Sequence, residues 1–142
     1  MTDLKLLALD TEDLDVISAT TQDAVVRVTD MGFAQVDRRF ALLMNRYAWE
    51  QGVGGKKGQR KRSALHFDRV SSVKVAGIDT NAREGVLELL DIRFAETDGP
   101  SGIIELRFAG GGTVRLAVEC LEARMQDLGA AWAAKAKPEH AA

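Results

Sequence analysis

Five of the nine residues from Gly54 to Arg62 are basic: Lys56, Lys57, Arg60, Lys61 and Arg62. Clustered ammonium and guanidinium groups attract anions, so residues 55–62 are the candidate contact for nucleic-acid phosphates, phospholipid headgroups or an acidic protein. A solvated loop whose charge aids solubility is the plainer account of the same residues. No Phe, Tyr or Trp lies inside the stretch, which argues against stacking of single-stranded nucleic acid there. Tyr47 and Trp49 precede it and are the candidate interface aromatics. The stretch is not a P-loop, because Gly55-Lys56 is followed by Lys57 where that motif needs Ser or Thr, and a strand rather than a helix is expected next.

Catalytic chemistry finds little purchase. His66 stands between Leu65 and Phe67, so on a strand it faces away from the core, with no Ser, Cys or acid at a motif spacing. A surface-strand histidine explains it, and an enzyme built around His66 ranks last among the functions considered. Cys120 is the single cysteine, which excludes an intrachain disulfide and suits a reducing compartment. It reads as the residue at a strand-to-helix junction. A helix N-terminus there could activate the thiol, but with no paired histidine it reads as a small packing residue. Two histidines and this one cysteine, far apart in sequence, supply no metal site, and no cofactor motif appears.

The whole chain sets the frame for these groups. Its 142 residues suit one domain with a real core, and 46% apolar with 28% charged residues is globular composition rather than disorder. A net charge of −2 excludes a generally basic surface for nucleic acid or anionic membrane. No apolar run is long enough to span a bilayer and the N-terminus lacks a secretory pattern, so the expected location is the cytoplasm.

The elements follow from periodicity. Leu4–Leu9 is a short strand or extended arm. Asp10-Thr11-Glu12-Asp13 reads as a capped helix start, with Leu14, Ile17 and Thr21 on one face. Two-residue alternation then governs about seven strands from Val25 to Val118. Gly32 is read as a bulge or close approach, and residues 36–39 as a hairpin turn. The phase of Val86–Ala95 changes midway, so a bulge at Leu89-Leu90 is needed to bring Leu87, Leu89, Leu90, Ile92 and Phe94 to the core. Ile104, Leu106 and Phe108, then Val114, Leu116 and Val118, point inward on two strands joined by a Gly-rich hairpin. Leu121, Met125, Leu128 and Trp132 fall at i, i+4, i+7 and i+11, which predicts a C-terminal amphipathic helix that Gly129 interrupts. Residues 1–134 form the expected single domain and 135–142 a tail.

That order of elements resembles the pleckstrin-homology-like barrel: seven antiparallel strands closed by a C-terminal capping helix. Phe67-Asp68-Arg69-Val70-Ser71-Ser72-Val73 is similar to the strand-to-strand bend of its bacterial forms, and Trp132 matches their aromatic in the last helix. Over residues 4–132 the chain resembles an alphaproteobacterial family of unknown function, number 2948 among such domains. The resemblance is carried by Leu4–Leu9, Asp23-Ala24-Val25-Val26-Arg27-Val28, Arg38-Arg39-Phe40-Ala41-Leu42 and Asn45-Arg46-Tyr47-Ala48-Trp49-Glu50. It implies no activity and assigns no residue. The expectation is a mainly β, cytoplasmic, non-enzymatic binding module that engages a protein or peptide and self-associates in one variant. Binding of RNA or another anionic ligand through residues 55–62 is the alternative.

Overall fold

The computed structural model describes residues 4–49 and 58–129. In chain order the elements are β1 (Lys5–Ala8), α1 (Thr11–Thr20), β2 (Val25–Arg27), a short 3-10 turn at Val28–Asp30, β3 (Met31–Ala34), β4 (Arg39–Trp49), β5 (Gly58–Phe67), β6 (Val70–Ala76), β7 (Val86–Asp98), β8 (Ser101–Phe108), β9 (Thr113–Val118) and β10 (Ala123–Asp127). The ten strands run in the order β1-β10-β5-β4-β2-β7-β8-β9-β6, with β3 paired to β4. Every pairing is antiparallel. Strands β1 and β6 end the order and do not pair with each other, so the sheet is open.

The sheet has two halves. One is β1-β10-β5-β4 and the other β7-β8-β9-β6, with β2 between them. Strand β2 meets β4 through one residue pair, Val25 with Asn45, and β7 through three. Inward residues of both halves, among them Leu42, Leu65, Phe67, Leu106, Phe108 and Leu116, form one buried core. Outward positions on the second half carry ion pairs such as Asp91–Arg107 and Glu105–Arg115, which suits a solvated face.

Helix α1 begins as its sequence dictates. The Asp10 carboxylate accepts a hydrogen bond from the Asp13 backbone N–H at 2.9 Å, and Glu12 and Asp13 occupy the first turn. Leu14 and Ile17 are buried, and the buried Thr21 hydroxyl donates to the Ile17 carbonyl at 2.8 Å. Asp10→Ala should therefore lower stability by about 1 kcal/mol. Urea unfolding reads this as a lower midpoint at constant slope, and an unchanged midpoint would show that the cap contributes nothing.

Several expectations need correction. The sheet is open rather than closed into a seven-stranded barrel. The strands among the described residues number ten rather than seven, because β1, β3 and β10 add to those read from alternation. The C-terminal capping helix is absent over residues 121–129: β10 stands there, with Ala123, Met125 and Asp127 buried and Arg124 and Gln126 exposed. Leu121 and Met125 are buried all the same, by strand rather than helix geometry. Trp132 and the tail lie outside the described residues. Gly32 is neither bulge nor close approach, since it pairs in register with Ala41 and has open space beside its Cα. The close approach falls at Gly102, where any side chain would meet the Ala95 carbonyl and the Phe94 ring.

The bulge of β7 is where alternation demands it. Register shifts between Leu89 and Asp91, and Leu89 and Ile92, three apart, are both buried. Leu90 is the extra residue and is exposed rather than in the core.

Candidate functional site

Pairing of β1, β10, β5 and β4 sets their outward side chains in rows. Leu7, Arg124, His66 and Ala41 form one row, and Lys5, Gln126, Ala64 and Leu43 the next. Ala64 is short and its neighbours are long, which leaves a depression in the outer face. The result is an open hollow of about 490 Å³ lined by Lys5, Leu7, Ala64, His66, Arg124 and Gln126, among others. Among the described residues the lining holds two cationic residues and no acid. None of these lining residues is a Ser, Thr or Cys that could serve as a nucleophile.

His66 sits at the inner wall. Its Nδ1 is shielded from solvent and approaches Asp68 Oδ2 at 3.3 Å without forming an aligned hydrogen bond. Burial pushes the His66 pKa down, the Asp68 carboxylate pulls it back up, and the positive charges of Arg39 and Arg124 lower it again. The net direction is downward, so the ring is neutral at pH 7. Asp68 in turn accepts a hydrogen bond from Arg39 Nε at 2.7 Å. The histidine expected on a strand's outer face is thus partly sunk in a hollow beside an acid.

Strand β1 borders the hollow and has no strand on its other side among the described residues. The Asp127 N–H donates to the Leu4 carbonyl at 2.9 Å, and the Leu4 N–H donates to Asp127 Oδ2 at 3.1 Å. Leu4 therefore faces β10, and by antiparallel alternation so do Leu6 and Ala8, while the N–H and C=O of Lys5 and Leu7 face outward. Leu4, Leu7 and Leu9 are 39%, 47% and 60% exposed, an apolar fringe along that free edge.

A buried ion pair anchors this region. Arg46 on β4 and Asp127 on β10 form two hydrogen bonds, at 2.7 and 2.8 Å. Their side chains are only 7% and 1% exposed. The buried Ser63 hydroxyl donates to Asp127 Oδ1 at 2.6 Å. Burial alone would raise the Asp127 pKa, but the hydrogen bonds from Arg46, Ser63 and the Leu4 N–H outweigh it and hold it at about 2. Asp127 thus ties β1, β10, β5 and β4 together under the hollow.

The residues singled out from sequence lie elsewhere. Lys56 and Lys57 are outside the described residues, and so is the Trp49 side chain. Arg60, Lys61 and Arg62 belong to β5 rather than to a loop, and strand alternation puts Lys61 on the opposite face from the other two. Arg60 lies 4.9 Å over the Tyr47 ring and donates to the carbonyls of Asp23 and Asn45. Arg62 contacts the Asn45 side chain and Asp30, each at 3.4 Å. The structure therefore brings Tyr47 and Arg60 together but engages both arginines with their own chain. Cys120 is partly exposed in the connection between β9 and β10, not at a helix start. No cluster of His, Cys, Asp or Glu suited to a metal ion occurs among the described residues. No helix among them is long and apolar enough to cross a membrane.

A family model described as "Protein of unknown function (DUF2948)" matches residues 4–140. The chain belongs to that family. The match spans both halves of the sheet, so the DUF2948 region includes the edge strand, the hollow and the buried pair. No curated protein and no solved structure matches the chain. The hollow and the β1 edge are not legible in Leu4–Leu9, which reads only as a strand or arm. The readable signal is Leu4, Leu6, Leu7 and Leu9, which put leucine on both faces of a short strand before a capped helix.

Proposed function

We propose that this DUF2948 protein is a non-enzymatic binding module of the bacterial cytoplasm that takes an extended protein or peptide segment along β1. The free edge of β1 carries this reading: Lys5 and Leu7 turn backbone donors and acceptors outward beside exposed Leu4, Leu7 and Leu9. Unpaired edges accept an added strand through main-chain hydrogen bonds, and the side chains alongside supply selectivity. Natural sheets blunt such edges with proline, bulges or dense charge, and β1 has one lysine and no proline.

Leu7→Pro isolates the claim. Its N–H faces away from β10, so proline removes an outward donor without breaking the native ladder. Selection of a random dodecapeptide library displayed on phage should enrich extended peptides whose titration shifts the backbone amide resonances of residues 5–8. Leu7→Pro should weaken those peptides about tenfold or more while the melting temperature stays within a few degrees. Enriched peptides that map elsewhere, or that bind Leu7→Pro equally well, would overturn the reading.

A further inference from the structure

We propose that the segment added to β1 carries an acidic side chain on the face of the hollow, paired with Lys5 in the positive field to which Arg124 adds. The proposal rests on the edge-binding reading and adds the chemistry of the partner. Lys5 lines the hollow, lies on the edge strand itself and makes no ion pair among the described residues. Arg124 is one strand further in; its side chain is 57% exposed and among the described residues pairs with Glu122, at a loose 3.9 Å. No carboxylate of the described residues lines the hollow to neutralise the two.

Register makes the requirement specific. A strand added beside β1 would run about 4.8 Å away and place every second side chain over the outer face. One of these stands directly across from Lys5 and the next across from Leu7. An acid opposite Lys5 gains a cross-strand opposite-charge pair, and Arg124, one strand further in and in the row of Leu7, adds to the positive field of the hollow. An apolar residue opposite Leu7 covers that half-exposed leucine. The recognised pattern is therefore an acid and an apolar residue two positions apart on an otherwise extended segment. A cation at the acid's place would face two like charges.

The probes are three fluorescein-labelled peptides, Thr-Val-Thr-Glu-Thr-Val-Thr and its Gln and Lys counterparts at the central position, titrated against the full chain by anisotropy. The Glu peptide should bind about five- to tenfold more tightly than the Gln peptide in low salt, with the gap narrowing at high salt. The Lys peptide should bind most weakly. Lys5→Gln combined with Arg124→Gln should erase the Glu preference and leave the Gln peptide's affinity unchanged. Equal binding of the Glu and Gln peptides overturns the acidic preference and leaves the edge reading in place. Binding of all three that survives Leu7→Pro, or no binding of any, overturns both.

Discussion

Arg46→Met should cost about 3–5 kcal/mol of folding stability, because it leaves the Asp127 carboxylate buried without its countercharge. Asp127→Asn should cost less than that but remain large, since Ser63 and the Leu4 N–H keep an oxygen to bond while Arg46 loses its charge partner. Replacing the whole polar cluster, with Arg46→Met, Ser63→Ala and Asp127→Leu together, should recover most of the loss. A well-packed apolar substitute for a buried pair is often neutral or better. Urea unfolding measures all three, and a triple variant no more stable than Arg46→Met would refute this account. The pH dependence has a definite sign. The folded pKa of Asp127, about 2, lies below its ordinary value, so its ionisation stabilises the fold above about pH 4. That contribution, roughly 2–3 kcal/mol, is lost as pH falls from about 4 towards 2. Asp127→Asn should flatten stability across that window.

Ile92→Ala is the second large effect. The bulge lets Leu89 and Ile92, three residues apart, both enter the core. Deletion of Leu90 keeps both there, because Leu89, Asp91 and Ile92 then alternate regularly and stay in register with Phe108, Arg107 and Leu106. Ile92 is 1% exposed, and truncating one large buried aliphatic side chain costs about 2–5 kcal/mol, more than the deletion should. Leu90→Glu is the control: the side chain is 38% exposed, and its replacement should change stability by about 0.5 kcal/mol or less. A Leu90 deletion as destabilising as Ile92→Ala by unfolding midpoint would show that the residue is not a simple insertion between the two faces.

The same residues explain what was legible beforehand. Strands β8 and β9 alternate without exception, with Ile104, Leu106, Phe108, Val114, Leu116 and Val118 all buried, and the sequence states them outright. The phase change in β7 was readable because a strand can skip a face only by a bulge. The end of the sheet was not, because its inward positions include charges. Strand β10 reads inward as Ala123, Met125 and Asp127, and a buried aspartate disqualifies a strand face until its partner is known. The partner, Arg46, is the inward residue after Phe40, Leu42 and Met44 on β4 and breaks that face in the same way. Each charge hid the other, and Leu121, Met125 and Leu128 then satisfied a helical period by coincidence. The hollow depends on Ala64 standing between Gln126 and Leu43, a juxtaposition of three strands that no local pattern encodes. Arg60 and Arg62 looked available as a basic run, and strand pairing gives them to Asn45, Asp23 and Asp30.

The position of β10 between β1 and β5 has a consequence for how the chain is made. On the ribosome, the flank of β5 opposite β4 stays bare until Ala123–Asp127 emerges, more than fifty residues after β5 itself. The first strand must wait longest, since its neighbour among the described residues is β10, the last of the described strands to be synthesised. Closure over so long a separation is entropically slow, so the nascent chain carries two sticky flanks for most of its synthesis. Arrival of a single aspartate settles both at once.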